Sequence, residues 1–179
     1  MHNLKKFYDK TIKYDLINKF NYNTSNKLPK IKNIILNFGC KTADVKQLSS
    51  GLLAFELITK QKGKLSTTKH SNILFKIRKG NPTGCKITLS NFKLFEFLFN
   101  IVFEIFSKLK NFYGFTQKIN NNVFSYKLTE TFSFSELENH YYLFNNLPTL
   151  NITIITDSKT KKEMTFLLKS FKFPFILQI

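Results

Sequence analysis

Between Leu57 and Phe95 the chain carries nine basic residues, Lys60, Lys62, Lys64, Lys69, Lys76, Arg78, Lys79, Lys86 and Lys93, and no acidic one. Gln61, Ser66, Thr67, Thr68, Ser71, Asn72, Phe75 and Thr88 are interleaved with them. Ammonium groups neutralise phosphates, amides and hydroxyls bond phosphate and sugar oxygens, and an aromatic ring stacks on a base. The chemistry these types support together is backbone recognition of RNA. The plainer alternative is a solvated face of a basic chain.

Other chemistries find little support. Gly80-Asn81-Pro82-Thr83-Gly84-Cys85-Lys86 superficially resembles a phosphate loop. That loop needs four residues between its glycines and then Lys-Ser/Thr, so a turn is the better reading. His2, His70 and His140 stand far apart, with no Cys or carboxylate at metal-ligand spacing. No Ser/His/Asp or Cys/His arrangement is readable, and neither an enzyme nor a cofactor is expected. Cys40 and Cys85 are too few and too distant for a disulfide scaffold or a zinc ribbon. Asn23-Thr24-Ser25 and Asn151-Ile152-Thr153 match the glycosylation pattern by chance in an Asn-rich chain.

The whole chain repeats the message of its middle. Its 179 residues hold 28 Lys+Arg against 11 Asp+Glu, a net charge of +17, with 21 Phe. An anionic partner must neutralise that excess: nucleic acid first, an anionic membrane surface second. Arg78 is the only arginine. Lys, Asn, Ile, Phe and Tyr share AT-rich codons, so an AT-biased genome explains much of this composition. Residues 1–20 contain Asp9 and Asp15 and show neither an apolar signal core nor an Arg-rich transit pattern. The expectation is a protein made where it works. Lys93, Glu96, Asn100 and Glu104 interrupt the apolar stretch Phe92–Phe106, so no membrane span is expected.

Elements that could position the basic residues follow from periodicity. An amphipathic helix is predicted over 3–20, with Leu4, Phe7, Ile12, Leu16 and Phe20 inward. Ile31–Phe38 reads as a strand. Asp44 caps a helix over 45–59 with Val45, Leu48, Leu52 and Phe55 inward. Lys64–Thr68 and Ile73–Arg78 read as extended, Gly80–Gly84 as a turn and Cys85–Leu89 as a strand. Asn91 caps a helix over 92–110 whose buried stripe is Phe95, Leu98, Val102, Ile105 and Leu109. Val123–Thr129 and Leu150–Thr156 are extended, Glu136–Asn146 stays unassigned, and Asp157 or Ser158 caps a last helix to Ser170. The order is an N-terminal helix, β-α-β-β-α-β, then a helix. The expected class is α+β: an antiparallel sheet with helices on one face, in the ferredoxin-like, RRM-like split βαβ arrangement.

Asn21-Tyr22-Asn23 and Pro29–Gly39 (PKIKNIILNFG) resemble the opening of the universal large-subunit ribosomal protein family L five. Ile58–Lys62 (ITKQK) and Thr68–Ser71 (TKHS) follow, and Phe75–Leu89 (FKIRKGNPTGCKITL) is the most specific piece. Leu150–Thr156 and Phe173-Pro174-Phe175 complete the set. The blocks keep the family's order and spacing from about residue 7 to 175 of this chain.

The resemblance implies one ribosomal-protein domain over 1–179 in the central protuberance of the large subunit. Residues 1–29 would be a helix and linker, 30–110 an RNA-binding half with a protruding loop at 75–84, and 111–179 a C-terminal half. The implied partners are 5S ribosomal RNA, large-subunit ribosomal RNA, peptidyl-site transfer RNA, neighbouring ribosomal proteins and a small-subunit protein at a bridge. Ribosomal RNA would meet Lys30, Lys32, Asn37, Gln61, Lys62, Lys64, Lys69, Ser71, Lys86 and Thr88. Lys76, Arg78, Lys79, Gly80, Asn81 and Pro82 would lie near transfer RNA, and Asn111, Phe112, Tyr113 and Glu136 at the bridge.

The chain also departs from the pattern. Lys60-Gln61-Lys62-Gly63 replaces Gly-Gln-Lys-Pro, Ser90 follows Leu89 where arginine is usual, and Lys110–Gly114 (KNFYG) replaces Arg-Asp-Phe-Arg-Gly. Lysine does not reproduce arginine's bidentate fork, so RNA contacts are rewired where arginine is lost. Divergence, AT bias and the lack of a readable presequence point to a mitochondrial ribosome, then a plastid, then an AT-rich bacterium. The alternative role is an extraribosomal RNA-binding protein or 5S RNA carrier.

Overall fold

The computed structural model describes residues 3–40, 44–74, 76–109, 112–115 and 122–176. Helices α1 (Asn3–Phe7) and α2 (Lys13–Lys19) run on from one another through a π turn at Tyr8–Ile12. A π turn holds one residue more than an α turn and shifts the inward spacing. Tyr8 is therefore buried beside Ile12 and Leu16, while Phe7, expected inward, is exposed. Strand β1 (Ile31–Gly39) follows, then α3 (Val45–Thr59), β2 (Lys64–Thr67) and β3 (Pro82–Leu89). Helix α4 (Asn91–Asn100) passes through a second π segment, Ile101–Ile105, into the short α5 (Phe106–Lys108). Strand β4 (Val123–Leu128), helices α6 (Ser135–Glu138) and α7 (Tyr141–Phe144), strand β5 (Leu150–Thr156) and helix α8 (Lys161–Ser170) complete the order.

The five strands form one antiparallel sheet in the order β2-β3-β1-β5-β4. Leaving out β4, the order β2-β3-β1-β5 is that of a split βαβ with β1 inside, and β4 extends it at one edge. Burial alternates with period two along β1 and β5, so one face is covered and the other stays partly open.

The residues gather into two compact groups. In the group made of Met1–Ile34, Leu89–Ser125 and Thr153–Ile179, Ile12, Leu16, Leu94, Leu98, Ile101, Ile105, Met164 and Leu168 are buried. An aromatic cluster adds Phe106, Phe115, Phe124 and Phe173, with Phe115–Phe124 centroids 5.1 Å apart and edge-to-face. In the group made of Ile35–Thr88 and Tyr126–Ile152, α3 covers the strand face that carries Phe38 and Cys85. The Phe38 and Phe55 rings lie 4.7 Å apart, and the Cys85 thiol donates to Leu48 C=O at 3.4 Å.

Local chemistry corrects several expectations. Asp44 does cap α3, its carboxylate accepting from Lys46 N–H at 3.0 Å. Val45 in that first turn is 76% exposed, and the buried stripe begins at Leu48. Helix α4 starts at Asn91 itself, with φ +53, so Ser90 holds the extended flanking position. Its inward stripe is Leu94, Phe97, Leu98, Ile101 and Ile105, which share one face at ordinary helical spacing, a face rotated from the expected one. Phe95, Val102 and Leu109 are half-buried instead. At α8 the cap is Thr160, which accepts from Glu163 N–H. Asp157 pairs with Lys32, and the Ser158 and Thr156 hydroxyls bond at 2.7 Å, so neither predicted cap is available. Ile73–Arg78 is not a strand, and β3 starts at Pro82, inside the predicted turn. Among the described residues no helix is long and apolar enough to cross a membrane.

Candidate nucleic-acid interface

Helix α3 stops because Lys60 adopts φ +53, a left-handed conformation that turns the chain. Gln61 and Lys62 follow at once, and β2 begins at Lys64. The β2–β3 register pairs Lys64 with Lys86 and Leu65 with Cys85. Cys85, Ile87 and Leu89 point into the core, so Lys86 and Thr88 point out, as strand alternation requires. Gln61, Lys62, Lys64, Lys86, Ile87 and Thr88 line one open recess that contains no carboxylate. Three ammonium groups, an amide and a hydroxyl thus converge, and two of the cations face each other across the strand pair. Like charges in that relation repel, so the recess is electrostatically incomplete without an anion.

Close approach of backbones fixes this geometry. A Cβ on Gly84 would lie 2.8 Å from Phe38 C=O and 2.9 Å from Ser66 Oγ, so only glycine fits. Asn37 lies half-exposed on β1. Its neighbour Phe38 shares the covered face with Cys85, so Asn37 faces the same open side as Lys86 and Thr88 without lining the recess.

Residues 68–74 and 76–81, between β2 and β3, bond to one another. Thr68 N–H donates to Asn81 C=O and Gly80 N–H to Thr68 C=O, both at 3.0 Å, and the Thr68 hydroxyl donates to Arg78 C=O at 2.8 Å. Asn72 and Ile77 exchange backbone bonds, and Lys76 N–H donates to Ile73 C=O. That tight tip is why Ile73–Arg78 is not extended: Lys76 has φ +52 and Gly80 φ +87. Lys69, Ser71, Lys76, Arg78, Lys79 and Gly80 are exposed, whereas Asn81 and Pro82 are half-buried at the start of β3. Phe75 lies outside the described residues. Ile73 and Leu74 are 93% and 90% exposed at the apex. An apolar Ile-Leu pair reads as strand from sequence; the tip turn that overrides it needs Lys76 at positive φ, which no motif announces.

The other candidates are placed elsewhere. Lys30 and Lys32 line a separate recess with Lys5, Tyr8 and Asp9, and Lys32 pairs with Asp157. The Tyr8 hydroxyl donates to Pro29 C=O at 3.1 Å, and burial, with Asp9 beside it, pushes its pKa to about 12. Asn111 lies outside the described residues. Phe112 stacks on Phe106 at 5.4 Å within the aromatic cluster, Tyr113 is exposed, and Glu136 is half-buried on α6 next to the Ser135 hydroxyl. A further signal was readable and missed: residues 128–158 contain no Lys or Arg but hold Glu130, Glu136, Glu138 and Asp157. Tyr141, Tyr142 and Leu143 are exposed in that stretch. Burial pushes the Cys85 thiol to about 11, with Cys40 adding to it, so it stays protonated and inert at neutral pH.

Residues 82–175 match the model of the ribosomal protein L five family C-terminus. The chain is 40% identical to the large ribosomal subunit protein uL5m of Reclinomonas americana over 97% of this chain and 98% of that one. It is 35% identical to the large ribosomal subunit protein uL5 of Nitrosomonas europaea, over 98% of this chain and 99% of the relative. The corresponding protein of Neisseria meningitidis serogroup C is likewise 35% identical, with the same coverage.

Proposed function

Because the chain belongs to the ribosomal protein L five family, structural proteins of the large ribosomal subunit rather than enzymes, we propose that it binds ribosomal RNA through the Gln61–Thr88 recess. The carrying observation is the Lys64–Lys86 cross-strand pair, joined by Lys62, Gln61 and Thr88 with no carboxylate among them. A phosphate between the two lysines relieves their repulsion. The amide and hydroxyl bond sugar or phosphate oxygens, and Asn37 on the same open side extends the surface. The RNA in this reading is 5S ribosomal RNA in the central protuberance, with large-subunit RNA at a second surface.

Two finer roles join it. The loop carrying Lys76, Arg78 and Lys79 meets peptidyl-site transfer RNA by charge and shape, with Ile73 and Leu74 as an apolar contact at its apex. The base-free stretch with Glu136 and the exposed Tyr141 and Tyr142 repels phosphate and suits a basic protein, which supports a bridge to the small subunit. The greater identity to the Reclinomonas mitochondrial protein than to the bacterial relatives, 40% against 35%, supports a mitochondrial ribosome.

Sedimentation of affinity-tagged chain from a lysate tests the ribosomal role. A constituent stays with the large subunit in stoichiometric amount through a high-salt gradient. Release at low salt into a small 5S RNA particle contradicts that role and indicates a carrier.

A further inference from the structure

Helices α2 and α8 leave a second basic surface that the roles above do not use. Lys19, Phe20, Lys161, Lys162, Phe166 and Lys169 line an open groove there. The Phe20 and Phe166 rings meet edge-to-face at 5.8 Å, and the Lys19 ammonium sits 4.3 Å from the centre of the Phe166 ring. On α8 the positions 161, 165 and 169 fall in one row by helical spacing, along the edge of the buried stripe of Met164, Leu167 and Leu168. No carboxylate is among the residues lining the groove, and Glu163, the acid on α8, accepts Lys159 N–H at 2.9 Å. Lys161 and Lys162 also occupy the first turn of α8, where the helix dipole disfavours cations. Four cations with no carboxylate among the described residues lining their groove, two of them set against a dipole, favour an external polyanion. The half-buried rings flooring the groove suit the face of an unpaired base better than a lipid interface, which takes protruding apolar side chains.

We propose that the α2–α8 groove is a further RNA-binding surface, taking an unpaired RNA segment with phosphates on Lys161 and Lys169 and a base stacked against the Phe20–Phe166 pair. The inference rests on the reading of the chain as an RNA-binding ribosomal protein but uses residues apart from the Gln61–Thr88 recess.

The test uses the full chain and a fluorescein-labelled oligouridylate, read by anisotropy across a salt series. It starts from the Lys64→Ala, Lys86→Ala double variant, in which the recess is weakened. Adding Lys161→Ala and Lys169→Ala should lower the remaining affinity about tenfold at low salt. The log–log salt slope should become shallower by about 1.4, since two single-strand phosphate contacts are lost. Phe166→Leu alone should lower affinity roughly fivefold or more while leaving that slope unchanged, because stacking carries no counterion. Circular dichroism melting of each variant confirms that it is folded. Residual binding that ignores the α8 lysines overturns the groove while leaving the recess reading intact. No binding by any form, the unaltered chain included, overturns both. Loss of binding to phosphatidylglycerol vesicles with oligouridylate binding unchanged overturns the groove as an RNA surface and makes it a membrane contact.

Discussion

Replacing Lys64 and Lys86 together by alanine should move stability and RNA affinity in opposite directions. The two side chains stand directly opposite in the β2–β3 register with no carboxylate in their recess. Like charges in that position cost about 0.2–1 kcal/mol, so their removal should leave stability unchanged or raise it within that range. For a chain of 179 residues that is a rise in Tm of at most about 3 °C. If each lysine neutralises one RNA phosphate, the variant loses two counterion-release contacts. The slope of log affinity against log salt then becomes shallower by about 1.4 to 1.8. Between about 50 and about 200 mM KCl, a fourfold change, the affinity gap between the two proteins should narrow about tenfold. Thermal melting gives the first quantity, and anisotropy titration of labelled 5S ribosomal RNA over the salt series gives the second. An unchanged slope means the lysines touch no phosphate. A fall of several degrees in Tm means they serve the fold, and either result refutes the reasoning.

Other outcomes follow from the packing. Gly84→Ala forces a Cβ to 2.8 Å from Phe38 C=O, and should cost about 1–3 kcal/mol in chemical denaturation because backbone has to move. Leu98→Ala should cost about 2–5 kcal/mol, whereas Val102→Ala, half-buried, should cost markedly less by the same measurement; equal losses would restore the stripe expected from sequence, with Val102 in it. Tyr8 titrates near 10.0 when unfolded and about 12 when folded, so its contribution is complete below pH 10 and lost as pH rises through 12. Melting of Tyr8→Phe should therefore fall less steeply than the unaltered protein above pH 10. Arg78→Ala with Lys79→Ala should leave large-subunit assembly nearly intact while lowering peptidyl-site transfer RNA occupancy, counted on purified ribosomes; failure to assemble would bury the loop against ribosomal RNA or protein.

The sequence made most strands and helices legible, because apolar periodicity is local: Leu150–Thr156 is a strand to the residue, and α3 runs over Val45–Thr59 as expected. It failed where one residue breaks a period. The π turn at Tyr8–Ile12 leaves no compositional mark, so Phe7 reads inward in place of Tyr8; in α4 the crowd of phenylalanines makes Phe95 read inward in place of Leu94. Caps failed for a tertiary reason, since Asp157 is drawn to Lys32 and Ser158 to Thr156. At the site, Gln61, Lys62, Lys64, Lys86 and Thr88 do converge. Family resemblance grouped them, and the αL turn at Lys60 with the β2–β3 register is what brings them together. The resemblance groups Lys30 and Lys32 with them too, yet they lie at the start of β1 beside Tyr8 and Asp157. The lysine groove on α8 escaped notice because lysine is common throughout this chain.

Site-specific photo-cross-linking tests the central claim most directly. A photoreactive residue in place of Gln61, in tagged chain incorporated into native ribosomes, is irradiated and the attached molecule is sequenced. The account predicts ribosomal RNA, confined to one short segment and of 5S identity, in particles that sediment as large subunits. Cross-links to protein alone, or scattered over unrelated cellular RNA, would contradict it.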